Sequence, residues 1–254
     1  MILAVDVGNT QTVIGLFEGS ALTGHWRVSS NASLTADELV IKVAGLLGLD
    51  GRGWSDVNDV IVSSVVPRLT DAWTDAVRKG AGRDPMVVGP GLKTGMVIRY
   101  DNPHEVGADR IVNGVAAYAM FGGPVLVVDF GTATTIDVVD ETGAYLGGAI
   151  APGVETSAEA LFTKAARLSK VDLEDPGVVI GRNTRQSVQA GLLLGEAAKV
   201  DGLVRRVWRE LGAETRVIAT GGLAERMAAL CETITDVDGD LTLKGLLMVY
   251  ERNA

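Results

Sequence analysis

Basic clusters, paired cysteines and long apolar stretches are all missing from these 254 residues, and each absence removes a class of function. Lysine and arginine number 23 against 32 aspartates and glutamates, a formal net charge of −9, and no run of basic residues offers a footprint for a nucleic acid. No nucleic-acid partner is expected, so any phosphate must be held by backbone amides, a metal and a few local cations. The single cysteine, Cys231, excludes an internal disulfide, and its apolar neighbours Met227 and Leu230 give it the character of a filler. Two histidines, His25 and His104, have no zinc-ligand spacing, which leaves magnesium with a nucleotide and a monovalent ion as the cations to consider. No apolar run nears membrane-spanning length, and no basic n-region or cleavage site follows Met1, so no membrane partner and a cytoplasmic location are expected.

What is present is 47% apolar residues, ample for a core, arranged around one stretch, Leu3 to Phe17. Its two apolar runs flank Asp6, Gly8, Asn9 and Thr10, which reads as a β-hairpin with Gly8-Asn9 supplying positive φ at the turn. A carboxylate ending a strand, followed by glycine and hydroxyl residues, suits a hydrated Mg²⁺ together with N–H and O–H donors for phosphate. One D-x-G-x-T is more often an ordinary Asx-turn. A second copy, Leu126 to Ile136, changes that balance: Asp129 matches Asp6, Gly131 matches Gly8 and Thr135 matches Thr12. A repeat half a chain apart suggests two duplicated domains facing one cleft.

Between and after the hairpins the chain alternates strands and helices. His25 to Ser29 reads as a third strand, and Thr35-Ala-Asp-Glu38 as a capping box opening a helix that buries Leu39, Val43 and Leu46. Val60 to Val66 reads as a buried parallel strand ending at Pro67, and Leu69, Trp73 and Val77 mark a helix face. After the strand Met86 to Val88, Gly89 to Gly95 is a connecting loop rather than a P-loop, because Leu92 separates Gly from Lys and the following Met96 to Tyr100 is strand-like. Gly107-Ala-Asp-Arg110 opens a helix through Ile111, Val115 and Tyr118, and two readings stand side by side: Asp109 caps the helix with Arg110 solvated, or the pair does chemistry. Asp140 to Gly143 is the distal turn of the second hairpin, and Tyr145 to Ile150 adds its third strand. A helix through Ala158, Leu161, Ala165 and Leu168 follows, then a loop from Val171 to Pro176. Next comes a long helix after Asn183-Thr184 with a break expected near Gly202. Val217 to Gly222 is a strand running into a glycine pair that suits either a flat ligand such as adenine or a plain turn, and Leu241 to Tyr250 closes the chain as a helix.

Paired D-x-G hairpins, a three-strand opening in both halves and a late strand ending in Gly-Gly resemble the actin, Hsp70 and sugar-kinase superfamily. Within it, Asp6-Val-Gly-Asn-Thr10, Gly107-Ala-Asp-Arg110 and Asp129-Phe-Gly-Thr-Ala-Thr-Thr135 look like type III pantothenate kinase, with Tyr100-Asp-Asn-Pro103 and Ile180-Gly-Arg-Asn-Thr184 extending the likeness over nearly the whole chain. One departure is Leu168-Ser169, where many relatives have leucine followed by proline; it touches the stiffness of a loop. The resemblance implies an α/β fold of two duplicated ribonuclease H-like, actin-like ATPase domains around a central nucleotide cleft, 1–117 and 118–254. It implies transfer of the γ-phosphate of ATP to the primary hydroxyl of pantothenate, the first step of coenzyme A biosynthesis. ATP would meet Asp6, Val7, Gly8, Asn9, Thr10, Gln11, Thr12, Val13 and Thr132, with Asp6 near Mg²⁺. Asp129 would hold a monovalent cation, K⁺ or NH₄⁺. Tyr100, Gly107, Ala108, Asp109, Arg110 and Thr184 would line the pantothenate site, and Asp109 would accept the proton. Arg110 has two roles open to it, pairing with the pantothenate carboxylate or stabilising the transferring phosphoryl group. A homodimer is implied, with the helix after Thr184 as its candidate contact. The competing readings are a kinase for another small hydroxylated acceptor and a non-catalytic ATP-binding regulatory protein of the same fold.

Overall fold

In the computed structural model, which describes residues 1–165, 168 and 170–254, the chain forms two compact units. The first comprises Met1–Ala116 with Leu241–Ala254, and the second Ala117–Asp240. The Leu168-Ser169 departure reaches outside the described residues, since Ser169 is not among them.

The first unit is a five-stranded sheet. β1 (Ile2–Val7), β2 (Gln11–Glu18) and β3 (Ala21–Ser29) form an antiparallel meander, and β4 (Asp59–Ser64) and β5 (Met86–Val87) add in parallel beside β1, in the order β3-β2-β1-β4-β5. Alternation along β1 decides what each face covers. Leu3, Val5 and Val7 meet α1 (Ala36–Leu49) through Leu39, Val43 and Leu47, and α2 (Pro67–Ala81) through Leu69, Trp73 and Val77. Ala4 faces the other way, with Phe17 and Ile61, toward Val112 and Val115 of α3 (Ala108–Phe121) and Leu243, Leu246 and Val249 of α8 (Leu241–Glu251). Each such fully buried valine, leucine, isoleucine or phenylalanine side chain contributes about 1.5–3 kcal/mol. α1 begins with the expected capping box: Thr35 N–H donates to Glu38 Oε2 at 2.8 Å and Glu38 N–H to Thr35 Oγ1 at 3.4 Å.

The second unit repeats the plan. β6 (Val125–Phe130), β7 (Ala133–Val139) and β8 (Tyr145–Pro152) form the meander, with β9 (Arg216–Thr220) and β10 (Asp236–Val237) parallel beside β6. The order β10-β9-β6-β7-β8, read from the β8 edge, is the first sheet's order strand for strand. Its buried Leu126, Val128, Phe130 and Ile136 meet Val154 of α4 (Val154–Lys164), Ala197, Val200 and Val204 of α6 (Gly195–Leu211), and Met227 of α7 (Ala224–Ala228).

Several expectations are corrected. Met96 to Tyr100 forms no strand; only Ile98 makes an isolated bridge. α4 ends at Lys164, capped at Ala165, short of Leu168. The long helix is irregular earlier than Gly202: α5 (Thr184–Gln189) passes through a π turn, Ala190–Leu194, into α6, and Gly202 lies within regular helix.

Candidate active site

In the first unit the loop Gly8-Asn9-Thr10 joins β1 to β2. Gly8 N–H donates to the Gln11 carbonyl at 3.1 Å, and a Cβ on Gly8 would lie 2.9 Å from that oxygen. The expectation of positive φ here is wrong: among the described residues no non-glycine has positive φ, and Gly8 is not one of the glycines that do. Glycine is needed at this point for close backbone approach. Asn9, Thr10 and Gln11 are exposed, Asp6 and Val13 half-buried, and Val7 and Thr12 buried. Ser30 steadies the loop, its N–H donating to the Thr10 carbonyl at 2.9 Å and its Oγ lying 2.8 Å from Thr12 Oγ1.

The Gly107 segment lies beside this hairpin in the same unit. Val65 N–H donates to the Val7 carbonyl at 3.1 Å, and a Cβ on Gly107 would stand 3.6 Å from Val65 Cγ1. That same Cβ would collide with Asp109 Oδ1, so the carboxylate folds back over Gly107. Asp109 lies inside α3 rather than capping it, and its Oδ1 accepts from Arg110 N–H at 2.8 Å, one of the amides that a helix start leaves without an intrahelical partner. Burial raises the Asp109 carboxyl above its ordinary value, and the Arg110 amide, the Arg110 charge and its own amide oppose that only in part. Arg110 is 7% exposed, so the solvated-arginine reading fails. Tyr100 is exposed at 37%, near Asn102, whose side chain accepts from His104 N–H at 3.3 Å.

In the second unit Asp129 occupies the place of Asp6, one residue before the end of its strand. The loop Gly131-Thr132 is one residue shorter than its counterpart, with Gly131 N–H donating to the Ala133 carbonyl at 3.0 Å. This shifts the match at threonine: Val7 pairs with Thr12 and Phe130 pairs with Thr134, both threonines being buried, so Thr134 and not Thr135 is the counterpart of Thr12. The exposed Thr132 is fixed through its carbonyl, which accepts from Gly153 N–H at 3.1 Å and Thr156 Oγ1 at 2.6 Å. Gly221, at φ +93°, lies against the Asp129 carboxylate and the Phe130 carbonyl, where no Cβ fits. Thr184 is placed separately, exposed on the first turn of α5 after Asn183, which accepts from Gln186 N–H at 2.9 Å.

One supporting group escaped the sequence reading. Glu196, 5% exposed on α6, accepts from Thr134 Oγ1 at 2.7 Å and from Lys199 Nζ at 2.6 Å, and Lys199 also donates to the Pro152 carbonyl at 2.9 Å. Only the i,i+3 spacing of Glu196 and Lys199 hinted at it. Among the described residues no three histidine, cysteine or acidic side chains gather as a metal cage. A single carboxylate, Asp6, beside an exposed loop does fit a magnesium ion that keeps most of its water.

The type III pantothenate kinase model matches residues 2–206. Curated relatives named type III pantothenate kinase from Moorella thermoacetica, 50% identical over all of both chains, and Syntrophotalea carbinolica, 51% identical over 100% of this chain and 99% of that one, align end to end. A ROK hexokinase from Thermus thermophilus shares the fold at a TM-score of 0.52 and 13% identity, over 99% of this chain and 98% of that one. The two matching sheets are thus the duplicated α/β domains of the actin-like ATPase and sugar-kinase fold.

Proposed function

The chain belongs to the type III pantothenate kinase family, and from that premise we propose how its residues divide the reaction. It is an ATP-dependent kinase of coenzyme A biosynthesis that phosphorylates pantothenate and uses a divalent metal such as Mg²⁺. Nothing in its relatives favours a non-catalytic role or another acceptor.

In the proposed division, residues 6–13 and Thr132 bind ATP, and Asp6 lies next to its magnesium. The cation, when bound, neutralises charge on the polyphosphate. The exposed loop residues Asn9 and Thr10 suit contact with phosphate oxygens. Tyr100, Gly107 to Arg110 and Thr184 bind pantothenate, whose primary hydroxyl gives its proton to Asp109 as it attacks the γ-phosphate. Asp129 holds a monovalent cation, K⁺ or NH₄⁺, offsetting crowded negative charge. We assign one duplicated domain to each unit, with α8 in the first, a cytoplasmic location and a homodimer; the exposed apolar run Val178, Val179 and Ile180 just before α5 supports self-association.

The observation that carries this reading is the Asp109 carboxylate: half-buried, raised in pKa and set on a turn that touches Val65, itself bonded to the Asp6 hairpin. A base poised toward neutral pH is the stronger proton acceptor. Asp109→Asn is expected to leave ATP binding largely intact and to cut kcat by about 10²-fold or more. Turnover close to wild type, with calorimetry showing normal ATP binding, removes Asp109 from the role.

A further inference from the structure

Two buried hydroxyls hold the same position in the two units. Ser63 and Thr220 are 0% and 1% exposed, and among the described residues theirs are the buried side-chain polar atoms without a hydrogen-bond partner. Each lies on the parallel strand next to a hairpin carboxylate. Ser63 is the register partner of Asp6, and Thr220 is the register partner of Asp129. Residues paired directly across a ladder project to the same face, about 4.8 Å apart from strand to strand. An unmade hydrogen bond at a buried hydroxyl destabilises the fold, and native structures hold few of them. Here it occurs twice at duplicated positions whose sequences, Ser63-Ser-Val65 and Thr220-Gly-Gly222, share no motif. What the two positions share is the adjacent carboxylate.

We propose that Ser63 is a positioning residue for the magnesium–nucleotide complex, its hydroxyl rotating to donate to the Asp6 carboxylate when that group engages the hydrated cation. The inference rests on the reading that Asp6 serves the magnesium. A carboxylate that serves a cation with one oxygen needs its other lone pairs fixed by donors, and such outer partners orient the group and strengthen binding. A serine hydroxyl has one proton and a free rotor, which suits the task, and no other buried hydroxyl of the first unit's sheet lacks a partner among the described residues.

The test is calorimetric binding of a nonhydrolysable ATP analogue to the full chain, with Mg²⁺ and with EDTA, for wild type, Ser63→Ala and Asp6→Asn, beside the ligand-free melting temperature of each. Ser63→Ala is expected to weaken binding about 10–100-fold with Mg²⁺ and to leave binding in EDTA unchanged. Its ligand-free melting temperature stays level or rises, because the substitution deletes an unsatisfied group. Wild-type affinity in Mg²⁺ for Ser63→Ala, with Asp6→Asn weakened, overturns the proposal and leaves the site reading standing. Equal losses with and without Mg²⁺, accompanied by a lower melting temperature, mark a structural serine and also overturn it. If Asp6→Asn binds like wild type in Mg²⁺, the site reading and the proposal fall together.

Discussion

Asp109, the proposed proton acceptor, shows how a buried carboxylate is held at a cost to stability. Its carboxyl is raised chiefly by burial, so between the unfolded and folded pKa values the native state binds more protons than the unfolded chain. Stability therefore falls as pH rises through that window, and the penalty is fully present above the folded pKa and absent below the unfolded one. Asp109→Asn removes the ionised group, so the melting temperature of this variant should exceed that of wild type at pH 7 and match it near pH 3. Equal melting temperatures at both pH values would show that burial does not strain this carboxylate. Cys231 behaves as the filler its neighbours suggested: burial, with Asp201 and Glu196 nearby, pushes its thiol up to about 12, far from the thiolate form.

At the scale of elements, the structure depends on a few points where side chains bridge strand and helix. Removing Glu196 leaves Thr134 without its partner, so Glu196→Ala should cost about 1–3 kcal/mol in denaturant unfolding; no change in stability would show the link to be idle. α8 docks on α3 through Gly245, where a Cβ would strike the Val112 carbonyl, and through Thr242 Oγ1 donating to Asn113 Oδ1 at 2.7 Å. Gly245→Ala should destabilise the first unit by about 1–3 kcal/mol, read as an earlier urea midpoint. The sequence disclosed both hairpins because a carboxylate, a glycine and flanking β-branched runs are local signals. It disclosed the Thr35–Glu38 box for the same reason. It misassigned the counterpart of Thr12 because one residue fewer in the Gly131 loop slips the register, which linear counting does not see. The π turn after Gln189 has no local signature, and Met96 to Tyr100 has strand composition but pairs only through the isolated bridge at Ile98. The Gly221-Gly222 pair suited either a flat ligand or a plain turn, and the positive φ of Gly221 with its approach to Asp129 by themselves require glycine there.

For the whole molecule, the same strand order in both sheets, with an aspartate one residue from the end of each first strand, is what a duplicated ancestor leaves behind. In the proposed division of roles the two copies differ: the first unit carries Asp6 and Asp109, the second Asp129, Thr132 and Thr184. The exposed Val178, Val179 and Ile180 are the proposed patch for a second copy, so light scattering at micromolar concentration should return a dimer mass, and a monomer mass would count against self-association. The most direct test of the proposed chemistry is coupled ADP release with and without pantothenate, with the phosphorylated product identified by phosphorus NMR. Release that depends on pantothenate, yields one phosphate on its primary hydroxyl and disappears in Asp109→Asn is the expected result. Release without pantothenate, or undiminished in Asp109→Asn, would contradict it.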